Sequence, residues 1–173
     1  MIKTNDNLII VSSETADWSR EYKAAFEWIP SRSLLASIRD YQNFSASSNV
    51  FTRIILRKIA ILRHRFWSVV TGADIPVNCQ IGGGLLIPHP NGIVIHPEVK
   101  IGPNCLIFQQ VTIGVKGMLG LPDIGGHVDI GAGAKILGNI KIGNHACIGA
   151  NAVVMQDVPA GKSAVGIPAR ILE

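Results

Sequence analysis

The sequence predicts a mainly β chain, a parallel β-helix of hexapeptide repeats preceded by a short α-helical segment. Three observations predict it. From Ile130 to Pro159 the chain reads as five consecutive hexads, IGAGAK, ILGNIK, IGNHAC, IGANAV and VMQDVP, each opening on Ile or Val with Ala, Ile or Val at the fifth position. The same period runs upstream from Ile75, broken in two places. Residues 1–72 lack it and instead space apolar residues by threes and fours. An amphipathic helix repeats at 3.6 and a half-exposed strand at 2, so a sustained six belongs to a coil with flat faces of six residues each. In such a coil the opening aliphatic points inward, and Gly or Asn at the corners supplies the positive φ of tight turns.

In chain order, helical spacing is expected around Trp18 to Trp28 and again from Val50 to Val70, where Phe51, Ile54, Ile55, Ile59, Leu62, Phe66 and Val70 recur at threes and fours. Arg53, Arg57, Lys58, Arg63 and Arg65 make the second of these helices basic and largely account for the net charge of +4. A coil whose apolar core meets water at its open end needs a cap, which this segment is expected to supply. The expected organisation is a helical arm or cap over 1–72, the repeat domain over 73–159 and a tail over 160–173.

Hexads open at Ile75, Ile81 and Ile87, slip by two residues across HPNGIV, and resume at Ile95, Ile101, Ile107 and Ile113. The slip carries His89. Register is lost again through VKGMLGLPD and recovered at Ile124, so about nine residues are expected to leave the coil as a loop of the kind that carries function on a rigid scaffold. The phase sends Ile136 and Ile142 into the core and Lys135 and Lys141 outward. After Val158 the Pro and Gly residues cannot continue the repeat, and the tail is expected to close or cross the coil.

At 173 residues, with 18 glycines spread through the repeat, there is room for one ordinary domain. Apolar stretches of four or five residues are far short of the ~20 that span a bilayer. The N-terminal LIIV run is also too short for a signal-peptide core, which points to the cytoplasm. Cys79, Cys105 and Cys147 form no C-x-x-C pair, and the first two fall on inward fifth positions, so they read as reduced packing residues. His64, His89, His96, His127 and His145 show none of the short ligand spacings of a zinc site, and no metal is assigned. No phosphate-binding G-x-x-x-x-G-K-[ST] occurs.

The run TGADIPVNCQIGGGLLIPHPNGIVI, followed by FQQVTIG, GAGAKILGNIKIG, IGANAVV and VGIPARI, resembles the serine acetyltransferase group of left-handed β-helix acyltransferases over about residues 62–172. The resemblance implies left-handed coils assembled as a homotrimer or a dimer of trimers, acetyl-CoA as donor, and active sites in clefts between neighbouring coils. His89 falls on the group's catalytic histidine and Asp74 on the aspartate that pairs with it. An imidazole can take the proton of an acceptor hydroxyl attacking the thioester, while a carboxylate on its other nitrogen fixes the tautomer. By the same resemblance the donor lies along the coil past Gly114, Ala132 and Ala150, with Lys135, Lys162 and Arg170 available to its phosphates. His96, His127, His145 and Glu98 read as corner or outward residues, His127 being the one nearest the loop.

Two departures concern the acceptor. Pro88 stands where the group has Asp before the catalytic His, and Gly120 and Leu121 precede Pro122 where it has an Arg-His pair. Those charges would grip an amino acid, and burying its carboxylate or ammonium unpaired costs several kcal/mol. The expectation is therefore an acetyl-CoA-dependent O-acetyltransferase whose acceptor hydroxyl belongs to a sugar or polysaccharide precursor, the alternatives being serine O-acetylation in cysteine biosynthesis and a non-catalytic scaffold. The basic helix has three readings: a solvated face, attraction of the anionic donor, or peripheral contact with an anionic lipid surface. No nucleic-acid reader motif accompanies the charge.

Overall fold

The aliphatics at hexad positions one and five form the core. In the computed structural model, which describes residues 11–25, 27–45, 50–118 and 120–172, Ile75, Ile95, Ile107, Ile130 and Ile136 are buried beside the fifth-position Leu85, Val99, Val128, Ala134 and Ala152. Each face of the coil is a parallel sheet of very short strands. The first stacks β1 (Gln80–Ile81), β3 (Lys100–Ile101), β6 (Asp123–Ile124) and β9 (Lys141–Ile142). The second stacks β4 (Leu106–Ile107), β7 (Asp129–Ile130), β10 (Cys147–Ile148) and β12 (Ser163–Val165); the third stacks β2 (Val94–Ile95), β5 (Thr112–Gly114), β8 (Lys135–Leu137) and β11 (Val153–Val154).

Strand register measures the two breaks. Regular coils pair at an offset of 18, as Asp129 does with Cys147. Gln80 pairs with Lys100, an offset of 20, so the slip around His89 adds two residues at the corner between the second and third faces. Lys100 pairs with Asp123, an offset of 23. The nine residues from Val115 to Asp123 therefore stand for the four of an ordinary hexad and five more, and within them Leu121 turns back to pack on the core. The tail closes the far end: β12 continues the second face and β13 (Arg170–Leu172) returns antiparallel along it.

Coil phase is directly testable. Ile142 is 2% exposed while Lys141 is exposed. Ile142→Ala should cost about 2–5 kcal/mol in denaturant unfolding, and Lys141→Ala almost nothing. Equal losses at the two positions would contradict the hexad phase.

The helical region differs from its sequence reading. Trp18 to Trp28 is not a helix; only Trp18–Glu21 makes a single 3-10 turn, capped by the Asp17 carboxylate on the Ser19 amide. Two helices follow, α1 (Pro30–Ser45) and α2 (Val50–Thr71), and they pack on each other. Pro30 suits the first turn, where a missing N–H costs nothing. Residues 1–10, including most of the LIIV run, lie outside the described residues.

The helix pair caps the coil. Leu34, Leu35 and Ile38 of α1 join the coil's core. Among the described residues no strand stacks above the first coil, so its carbonyls need other donors. Ser68 donates to the Ala73 carbonyl, His64 Nε2 to Ile75 at 2.8 Å, Gln42 to Cys79 at 3.3 Å, and Arg39 to Ile81 at 2.6 Å and Gly82 at 2.7 Å. Arg39 also pairs with Glu21 at 2.8 Å, while Glu21 accepts from the Leu85 amide.

Burial pushes the buried His64 imidazole below its ordinary pKa, against the opposing effects of its bond to Ile75 and the Asp74 charge. A ring held neutral when folded contributes stability that is complete above the unfolded value near 6.5 and is lost as pH falls below it, since the unfolded chain then takes up the proton. Melting temperature should therefore drop on acidification below pH ~6.5, and His64→Gln, which keeps a donor for Ile75, should flatten that slope. An unchanged slope would remove His64 as a cause.

Ahead of the helices, residues 12–18 lie along the corner between the first and second faces. Asn104, fully buried in the left-handed conformation at φ 61°, donates to the carbonyls of Ser12 (2.7 Å) and Thr15 (2.8 Å) and accepts from the Asp17 amide (2.8 Å). A Cβ on Gly83 would sit 2.6 Å from the Trp18 ring, and one on Gly126 1.8 Å from the Ser13 carbonyl oxygen, so glycine is what admits the segment there.

Candidate active site

His89 projects from the lengthened corner. The two inserted residues bow the chain outward between Pro88 and Asn91, leaving the imidazole exposed at the mouth of a groove of about 480 Å³. The groove is lined on the coil side by Pro88, Pro90 and Asn91, and on the helix side by Trp28, Ser31, Val70 and Thr71. None of the described lining residues is Lys, Arg, Asp or Glu.

Asp74 lies one coil edge away. Its backbone bridges Val94 on the third face, receiving the Ile95 amide at 2.9 Å, and its side chain is exposed. Among the described residues no hydrogen bond joins Asp74 to His89. The carboxylate instead acts on its other neighbours, partly opposing the burial that lowers the pKa of His64 and adding to the burial that pushes the Cys79 thiol up to about 12. Cys105 is likewise pushed up to about 11, chiefly by burial, so both inward thiols are packing groups rather than nucleophiles.

The candidate donor residues separate into two sets. Backbone bonds from Gln110 to Asn91, Gly133 to Gln109 and Asn151 to Ala132 run down one corner, which places Ala132 and Ala150 in a column beneath His89. Lys135 stands beside that column and donates from Nζ to the Gln110 carbonyl at 2.5 Å. Arg170 lies opposite Val165 at the foot of the same corner. At ~4.8 Å per coil, His89 to this foot is roughly 19 Å, within reach of an extended pantetheine arm. Gly114 is at the other edge of the third face, with no contact closer than 3.9 Å to an added Cβ, and Lys162 is at the far edge of the second.

Gln109, which sequence reasoning passed over, sits in the column one coil below His89 with a buried Oε1 that has no partner among the described residues. Its only sequence signal was a polar pair, Gln109-Gln110, in a corner that elsewhere holds Gly, Ala and Asn. His127 and His145 stack at the opposite corner, Nδ1 to Nδ1 2.9 Å, away from the His89 groove. Among the described residues no group of three or more His, Cys, Asp or Glu side chains comes together as a metal site would require.

The two breaks sit on different corners. The His89 bulge and the loop after Gly114 flank opposite edges of the third face.

A triangular coil of six-residue faces with these parallel sheets is the left-handed β-helix of hexapeptide-repeat proteins. Residues 122–156 match the family described as bacterial transferase hexapeptide (six repeats). The chain is 39% identical over 165 residues to a serine acetyltransferase of Staphylococcus aureus, covering 88% of this chain and 76% of that protein. It is 41% identical over 119 residues to a serine acetyltransferase of Mycobacterium tuberculosis, covering 67% of this chain and 52% of that one. A solved serine acetyltransferase in complex with CoA superposes with a TM-score of 0.69 at 34% identity, covering 84% of this chain and 58% of that chain. The chain belongs to the serine acetyltransferase family, and it spans about half the length of the first two curated relatives it matches.

Proposed function

We propose that the protein is an acetyl-CoA-dependent O-acetyltransferase in which His89 is the general base. The observation that carries this is the lengthened corner, which presents an exposed imidazole in a groove above a column of small corner residues. In the reaction the acceptor hydroxyl oxygen forms a bond to the thioester carbonyl carbon as its proton passes to His89. The C–S bond then breaks, and CoA leaves as the thiol after taking that proton back. Asp74 is proposed to hold the ring's other nitrogen in the substrate-bound enzyme, since such bonds are often long in a free site and tighten on binding. Ala132 and Ala150 let backbone approach the pantetheine, and Lys135 and Arg170 are the cations of that corner suited to the phosphates. Gly114 and Lys162 are reached only if the donor also touches another coil. The separation of the two breaks supports a site built between neighbouring coils of an oligomer.

L-serine is the first acceptor to test, because the relatives share the name serine acetyltransferase and this reading replaces the sugar as the leading one. A saccharide hydroxyl remains the second reading on one observation: the groove is neutral and carries a Trp28 ring 70% exposed, the kind of apolar platform on which a sugar ring packs. Leu121 packs on the core, so restoring charge there would cost stability, whereas Pro88 is exposed in the groove. Thiol release from acetyl-CoA, with kcat/KM compared for L-serine, homoserine, amino sugars and oligosaccharides, decides between the acceptors. If serine is poor, Pro88→Asp should raise its kcat/KM. No thiol release with any acceptor would sink the enzyme reading itself.

A further inference from the structure

The outward side of α2 is apolar where a surface helix should be polar. Ile54 (49% exposed), Ile55 (43%), Ile59 (48%), Leu62 (70%), Phe66 (54%) and Val69 (84%) face solvent, while Ala60, His64 and Thr71 on the opposite side are buried. At 100° per residue Ile55, Ile59, Leu62, Phe66 and Val69, with Val70, form an unbroken arc of roughly 100°, and Ile54 lies just beyond its edge. Leu62, Phe66 and Val69, with Trp67 and the stems of Arg63 and Arg65, line an apolar trough of about 600 Å³.

Charge names the occupant. The helix, VFTRIILRKIAILRHRFWSVVT, has no acidic residue. Exposed Lys58 and Arg65 lie on one shoulder of the apolar arc and Arg63 on the other, Arg63 reaching Asp40 of α1. A second copy docking through this face would set Lys58 and Arg65 against the same cations of its twin, with no carboxylate on either helix to answer them. An apolar arc with cationic shoulders is what lies in the plane of an anionic bilayer, the rings and aliphatics among the acyl chains and the Lys and Arg stems snorkelling to the headgroups.

We propose that α2 is an interfacial helix that docks the protein on an anionic lipid surface. The docking face runs into the His89 groove. Trp67 stacks edge-on between Phe66 (5.0 Å) and Trp28 (5.3 Å), and Trp28 and Val70 line that groove, so a docked protein carries its groove beside the headgroup layer.

Co-sedimentation of the full chain with vesicles tests this. Vesicles of phosphatidylcholine with about 30 mol% phosphatidylglycerol should bind at least tenfold more tightly than phosphatidylcholine alone, and the difference should shrink with added salt. Leu62→Glu with Phe66→Glu, both on the solvent side, should abolish binding. Lys58→Glu with Arg65→Glu should erase the preference for the anionic vesicles. No binding by the parent chain at low salt overturns the proposal. So does an oligomer that Phe66→Glu takes apart without any vesicle binding, because the face is then an interface between copies.

Discussion

His89→Ala should lower kcat for thiol release from acetyl-CoA by about 10²–10⁴, the usual worth of a positioned general base. His89 is exposed and makes no hydrogen bond among the described residues, so its removal has little to unbalance in the folded chain. Melting temperature and retention of acetyl-CoA should stay near the parent values while turnover collapses. That combination distinguishes loss of a base from loss of structure. Turnover within a few-fold of the parent would end the assignment of His89 as the base. Asp74→Asn should cost less, because among the described residues no hydrogen bond joins Asp74 to the ring and its proposed part is to hold that ring once substrate is bound.

Arg39→Met should destabilise the protein by about 3–5 kcal/mol, the characteristic cost of removing one partner of a buried ion pair. The Arg39 and Glu21 side chains are only 12% and 8% exposed, and the guanidinium meets both carboxylate oxygens. Its loss strands a carboxylate in a nearly dry site and leaves the Ile81 and Gly82 carbonyls without donors. Adding Glu21→Gln should return a large part of the loss, since the remaining group is neutral and still accepts from the Leu85 amide at 3.0 Å. Urea unfolding of the single and double variants measures it. A loss below 1 kcal/mol for Arg39→Met would mean water reaches the pair.

The coil was legible because its core is written in a single period: a position that must be aliphatic every six residues leaves a mark no other architecture makes. The slip at His89 was legible for the same reason, as an offset in an otherwise regular count. The N-terminal segment was not. Trp18 and Trp28 suggested a helical stripe, yet Trp18 opens a single 3-10 turn and packs against Gly83 and Arg39, a contact between residues far apart in the chain that local spacing does not encode. The capping donors were hidden similarly: Gln42, His64 and Ser68 are ordinary residues of a helix face until the carbonyls they satisfy are known. At the site, Ala132 and Ala150 were expected from the resemblance and only the paired corners show them stacked beneath His89; Gly114 falls at the other edge of its face, and Lys162 follows a short final coil where Ile148 pairs with Ala164 at an offset of 16.

The side chains that close the first coil also limit how the protein aggregates. An open end of a parallel coil is a row of unpaired strand groups at the 4.8 Å spacing of amyloid, able to template another chain. With the carbonyls of Ala73, Ile75, Cys79, Ile81 and Gly82 occupied by helix side chains, a second coil finds fewer free acceptors to extend from. A chain that begins after Thr71 would expose that row and is expected to polymerise end to end, so the helices decide whether the repeat remains a counted stack or becomes a filament.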